Sequence, residues 1–166
     1  MNYAIWLDGV ILKIDLTDVL YRRYKGEQIE KLEVTEEVFQ DWQTFFDKLT
    51  KSVSDGNIVF LSPYDEDITR KIMKNIGLSS FSYISSKITK PSKVPYQILY
   101  EKTKWEPLET ITIGSSALDL LSARFYDSRI KVVCINRFQD CSRYSPYLIT
   151  DNLEKLYEML KRLRKL

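Results

Sequence analysis

A doubly wound α/β fold, with a mainly parallel sheet and helices on both faces, follows from three features of the sequence. Short apolar runs alternate with segments of helical period along the whole chain. Several runs end in acidic, small or turn-forming residues, as Asp8-Gly9, Ser62-Pro63 and Gly114-Ser115, the composition expected at a sheet rim. The chain has 166 residues, 44% hydrophobic and 29% charged, enough to bury one core, so a single domain over residues 1–166 is expected.

The elements follow in order. Residues 3–7 are the first apolar run and read as a buried strand. Residues 13–34 are charged, rich in Tyr and unpatterned, and are expected as a small flap or reduced cap insertion. In residues 36–54, Val38, Phe39, Trp42, Phe45, Phe46, Leu49 and Val53 recur at helical spacing. Thr35 is the expected N-cap, with Glu36 and Glu37 in the first turn. Asp55-Gly56-Asn57 stops that helix, and Ile58–Leu61 is the second strand. Ile68, Ile72, Met73 and Ile76 mark a helix closed by Gly77. Phe81–Ile84 reads as a third strand, and a helix starts near Pro95. Thr110–Ile113 is a strand meeting Gly114, and Leu118, Leu121 and Phe125 mark the next helix. Ile130–Ile135 is a continuous apolar strand and Tyr147–Ile149 a brief one. Asp151-Asn152-Leu153-Glu154 has the form of a capping box opening a last helix, with Leu153, Leu156, Leu160 and Leu163 on one face.

The bulk numbers exclude several functions. The chain has no His, which removes imidazole catalysis, His metal ligation and every Ser-His or Cys-His arrangement. Net charge is +2, so nucleic acid is disfavoured as a partner. No apolar run approaches the length of a membrane span, and no secretory leader pattern opens the chain. Cys134 lies in an apolar run and Cys141 in a polar loop. Two unpaired thiols and a reduced, cytoplasmic setting are therefore expected.

Four polar positions recur at strand ends or helix starts: Asp8-Gly9-Val10, Ser62, Lys90-Pro91, and Gly114-Ser115-Ser116-Ala117-Leu118-Asp119. Each alone has a plain structural reading. Asp8-Gly9 is a turn after a strand, Ser62-Pro63 a strand terminator, Lys90 one lysine among several, and Asp119 a residue of a helix's first turn. In this order they resemble the motifs of the haloacid dehalogenase (HAD) superfamily of phosphohydrolases. The likeness covers nearly the whole chain apart from residues 13–34. It implies a Rossmann-like, mainly parallel five-stranded sheet without a large cap.

The resemblance also implies roles. Asp8 would be the acid/base. Gly9, Ser62, Lys90 and Ser115 would hold the phosphoryl group. Asp8 and Asp119 would hold magnesium, a cation that favours oxygen ligands. The family's nucleophilic Asp falls on Trp6, which has no nucleophilic oxygen, and the first acid of the fourth motif falls on Ser115. The expectation is a HAD-like protein that has lost phosphohydrolase activity. It would act as an anion-binding module, for a small phosphate or another anion, or as a protein-interaction module. The alternative is an active hydrolase with atypical catalytic residues.

Overall fold

The computed structural model describes residues 1–166. Six strands form one parallel sheet: β1 (Asn2–Trp6), β2 (Ile58–Ser62), β3 (Ser82–Ser85), β4 (Thr110–Gly114), β5 (Lys131–Ile135) and β6 (Leu148–Thr150). Their spatial order is β3-β2-β1-β4-β5-β6, with β1 central. The helices are α1 (Thr17–Tyr24), α2 (Trp42–Ser52), α3 (Glu66–Asn75), α4 (Val94–Thr103), α5 (Ala117–Tyr126) and α6 (Leu153–Arg162). β1, β2 and β4 are buried along their whole length, as continuous apolar runs in a parallel sheet require. α2 packs beside α6, and α4 beside α5. Right-handed crossovers place these two pairs on opposite faces of the sheet.

The expected five-stranded sheet has a sixth member, because the brief run near Tyr147 pairs with β5 through Val133–Leu148, Cys134–Ile149 and Ile135–Thr150. The helix expected over residues 36–54 begins only at Trp42. Thr35 therefore caps no helix; its hydroxyl accepts from Glu37 N–H instead. The stretch before Trp42 is held in extended form, with Lys13 N–H donating to Glu37 O and Phe39 N–H to Ile11 O. The apolar face of α2 is real: Trp42, Phe45, Phe46 and Leu49 are buried, and the Phe46 ring packs tilted against Phe60 and edge-on against Phe81. At α6, Asn152 caps by accepting from Lys155 N–H.

Residues 13–34 form α1 and an extended strap over the carboxyl rim of the sheet. Asp15 fixes the start of α1 by accepting from the Thr17 amide and hydroxyl. Arg23 donates to Ile29 O, and Tyr64 donates to Glu33 O. The expectation of two unpaired thiols is corrected: Cys134 and Cys141 are joined by a disulfide. The turn after β5, in which Asn136 Oδ1 accepts from Cys141 N–H, brings the two residues together in the interior. No helix is long and apolar enough to cross a membrane.

Candidate functional site at the carboxyl rim

β1 carries the chain to Leu7 and then into a tight loop. Ile11 and Leu12 both donate to Leu7 O, and Gly9 donates to Leu12 O. Gly9 has φ +77°, and a Cβ there would lie 2.0 Å from Ser115 Oγ. Only glycine fits that position, which lets the loop lie directly against the start of α5. The loop aims the Asp8 carboxylate inward.

Three charged side chains meet there. Lys90 Nζ lies 2.7 Å from Asp8 Oδ2 and 2.5 Å from Asp119 Oδ1, and the three side chains are 3%, 5% and 1% exposed. Asp119 also caps α5: its Oδ2 accepts from the amides of Ser115 (2.7 Å) and Ser116 (3.2 Å), while Ser116 closes a capping box. Gly114 makes room for this, since a Cβ there would be 2.5 Å from Asp119. Asp8 Oδ1 is buried without a hydrogen-bond partner. Burial pushes the Asp8 carboxyl up; Lys90 opposes the shift, Asp119 adds to it, and the net direction is upward. Burial disfavours the Lys90 ammonium, but its attraction to Asp119 and Asp8 outweighs that cost, so its pKa is raised.

The Trp6 indole is fully buried beneath this cluster, with Lys90 Nζ 4.3 Å from its ring centre. Its N–H donates to Tyr96 OH (3.1 Å), Tyr96 donates to Thr112 Oγ1 (2.7 Å), and Thr112 donates to Ala4 O (3.1 Å). This chain of bonds locks the ring in the core. Tyr64 is also buried; burial first and the nearby Asp8 second push its hydroxyl pKa upward.

Asp8, Lys90 and Asp119 thus come together, with Gly9 and Ser115 in contact beside them. Ser62 is spent elsewhere. Its hydroxyl donates to Thr69 Oγ1 and accepts from Tyr64 N–H, which fixes the turn after β2. The amides of Ser115 and Ser116, the natural donors for a bound anion, are occupied by Asp119.

The magnesium implied by the sequence resemblance needs a near-octahedral set of oxygens. Of the four carboxylate oxygens of Asp8 and Asp119, only Asp8 Oδ1 is unengaged. The Lys90 ammonium lies between the two acids, where it repels a second cation. Trp6 adds no ligand oxygen. The residues present do not fit the ion.

Sequence reasoning missed a second ion pair on the rim. Arg137, just beyond β5, donates to both oxygens of Asp41 and to Val10 O, and stacks 3.9 Å over Phe39. Asp41 also accepts from Leu153 N–H. Burial raises the Asp41 pKa, but these bonds, Arg137 first, bring it below the usual carboxylate value. A charged residue two positions after a buried strand was the only signal for Arg137; nothing in the sequence pointed to Asp41 as its partner.

Solved structures share the whole architecture. A haloacid dehalogenase-like family hydrolase from Streptococcus pneumoniae superposes with a TM-score of 0.72 at 13% identity, covering 96% of this chain and 98% of that one. The chain has the HAD-like fold. A dehalogenase solved as an intermediate complex gives a TM-score of 0.73 at 17% identity, covering 95% and 96% of the two chains. A HAD phosphatase from Thermococcus onnurineus gives 0.68 at 17% identity, over 96% and 97%. No family model and no curated protein matches the sequence.

Proposed function

We propose that this HAD-like protein has lost phosphohydrolase chemistry and acts as a protein-interaction module. The observation that carries the reading is the Trp6 indole, fully buried and hydrogen-bonded at the position where the family resemblance calls for a nucleophilic carboxylate. Loss of a catalytic nucleophile costs on the order of a million-fold in turnover in a dissected protease. The neighbouring groups support the same reading. Lys90 is held by two acids, and the amides that would receive a phosphate are filled by Asp119. That occupancy favours interaction over anion binding at Gly9, Ser62, Lys90 and Ser115. Residues 13–34 are then a reduced cap, pinned over the site by the Tyr64 to Glu33 bond.

One observation favours the alternative, a hydrolase that uses Asp8. Its raised pKa and unpaired Oδ1 are properties of an acid/base. The test is hydrolysis of para-nitrophenyl phosphate and acetyl phosphate with magnesium, run beside Asp8→Asn. The expected result is no turnover above buffer for either protein, and no rise in melting temperature with magnesium and beryllium fluoride. Magnesium-dependent turnover that vanishes in Asp8→Asn would overturn the reading.

A further inference from the structure

The opposite edge of the sheet carries a charge feature that the rim does not explain. α2 and α6 lie side by side and both end at the amino edge of the strands. Two contacts fix this placement. Asn57, in the connection from α2 to β2, donates to the Asn2 side chain, and Tyr3 donates to Lys165 O beyond α6. Both helix ends are basic. Lys48 and Lys51 lie on α2, and Lys161, Arg162, Arg164 and Lys165 lie on and just after α6.

None of these six cations is in an ion pair, and all but the half-buried Lys165 are exposed. Asp47 and Asp55 on and after α2, and Glu154 and Glu158 on α6, are the acids of the same two segments, with Glu154 in the first turn of α6 away from the basic end, so positive charge remains in excess there while the whole chain carries only +2. A helix C-terminus favours one or two nearby cations. Six at two neighbouring ends exceed that need. Leu163 sits among them, 43% exposed.

We propose that this basic end is the docking surface for an acidic segment of a partner protein. The inference rests on the interaction reading and supplies its surface and the chemistry of its partner. The footprint is compact: two helix ends about 8–10 Å apart around one apolar side chain. A short peptide that places carboxylates around an apolar residue matches it. A membrane surface calls for a broader apolar face than Leu163 offers. Single-stranded nucleic acid calls for open aromatic faces between the cations, and Lys48 lies over the Tyr157 ring, 4.9 Å from its centre.

The test uses the full chain and a fluorescein-labelled peptide of glutamates around a central leucine, read by anisotropy at low and near-physiological salt. One variant carries Lys48→Gln, Lys51→Gln, Lys161→Gln, Arg162→Gln and Arg164→Gln. A control removes as many exposed cations elsewhere, through Lys25→Gln, Lys31→Gln, Lys71→Gln, Lys74→Gln and Lys87→Gln. Circular dichroism establishes that both fold. The first variant is expected to weaken binding at least tenfold and the control less than twofold, with affinity falling as salt rises. The proposal is overturned by an absence of peptide binding at low salt, or by equal weakening in both variants. It is also overturned if a single-stranded oligonucleotide or a phosphatidylserine vesicle binds more tightly than the peptide. The phosphatase assay is independent of these outcomes: turnover there would sink the functional reading, whereas failure here would sink only the assigned surface.

Discussion

Replacing Lys90 with methionine keeps an unbranched apolar stem over Trp6 and removes the one cation between Asp8 and Asp119. The wild-type contacts are 2.7 and 2.5 Å, and all three side chains are at least 95% buried. Removing one member of a buried ion pair costs about 3–5 kcal/mol, because the partner charge stays buried and uncompensated. At roughly 2–4 °C per kcal/mol for a chain of this size, the melting temperature should fall by about 6–20 °C. The deficit should depend on pH. Asp8 has a raised pKa in the folded protein, through burial first, with Lys90 opposing and Asp119 adding. An acid raised on folding binds more protons folded than unfolded, so its stability contribution declines as pH rises from the unfolded value, about 3.9, through the folded one. Without Lys90 the Asp8 pKa rises further. The deficit should therefore be largest near neutrality and shrink on acidification, as Asp8 takes up a proton. Adding Asp8→Asn to Lys90→Met should recover a large part of the loss. Urea denaturation at pH 5 and pH 7 measures all of this. A deficit below about 1 kcal/mol, or one equal at both pH values, would refute the buried-triad account.

Gly9→Ala should destabilise by about 1–2 kcal/mol from the left-handed backbone alone, and further through the 2.0 Å approach of its Cβ to Ser115 Oγ. Ser115→Gly should rescue the second part and not the first, as denaturant midpoints of the single and double variants would reveal. Trp6→Phe should cost about 1–3 kcal/mol by removing the donor to Tyr96; an unchanged midpoint would mean that the indole bond contributes nothing. Arg137→Met should cost more at pH 6 than at pH 3. The Asp41 pKa is lowered on folding, so its contribution is present above the unfolded carboxylate value and is lost as pH falls through the folded one. Thermal melts across that range check the sign. Magnesium should leave the wild-type melting temperature where an equal ionic strength of sodium chloride leaves it.

The architecture was readable because its signals are local. A run such as Ile58–Leu61 announces a buried parallel strand by composition, and Gly77, at φ +77°, announces the end of α3 by its backbone freedom. The start of α2 was not readable. The apolar spacing from Val38 to Val53 is helical, but pairing of residues 37–39 with 11–13 competes for the same backbone groups and wins. Among the site residues, Asp8, Gly9, Lys90 and Asp119 were identifiable from their order along the chain. What each does with its hydrogen bonds was not. The commitment of the Ser62 hydroxyl to Thr69, and of Asp119 Oδ2 to its own helix start, depends on a turn geometry that no spacing rule encodes. Arg137 and Asp41 lie 96 positions apart and meet only because α2 and the turn after β5 share the rim. The disulfide has the same origin, since a loop read as exposed and polar turns Cys141 inward.

Trp6 and the Lys90 triad are parts of one arrangement. A carboxylate at position 6 would put a third negative charge within reach of a single ammonium, a cluster that needs a further cation to be tolerable in a dry interior. The indole removes that charge and offers its ring face to the same ammonium. The remaining balance, two acids to one lysine, is met internally: Lys90 bridges both, and the Ser115 and Ser116 amides take the fourth oxygen. The Lys90 ammonium and the Ser115 and Ser116 amides, the groups best suited to receive a phosphate, are thereby directed at neighbours within the chain. The indole at position 6 thus leaves a buried cluster of two acids around one lysine, with Asp8 Oδ1 its one unpaired oxygen.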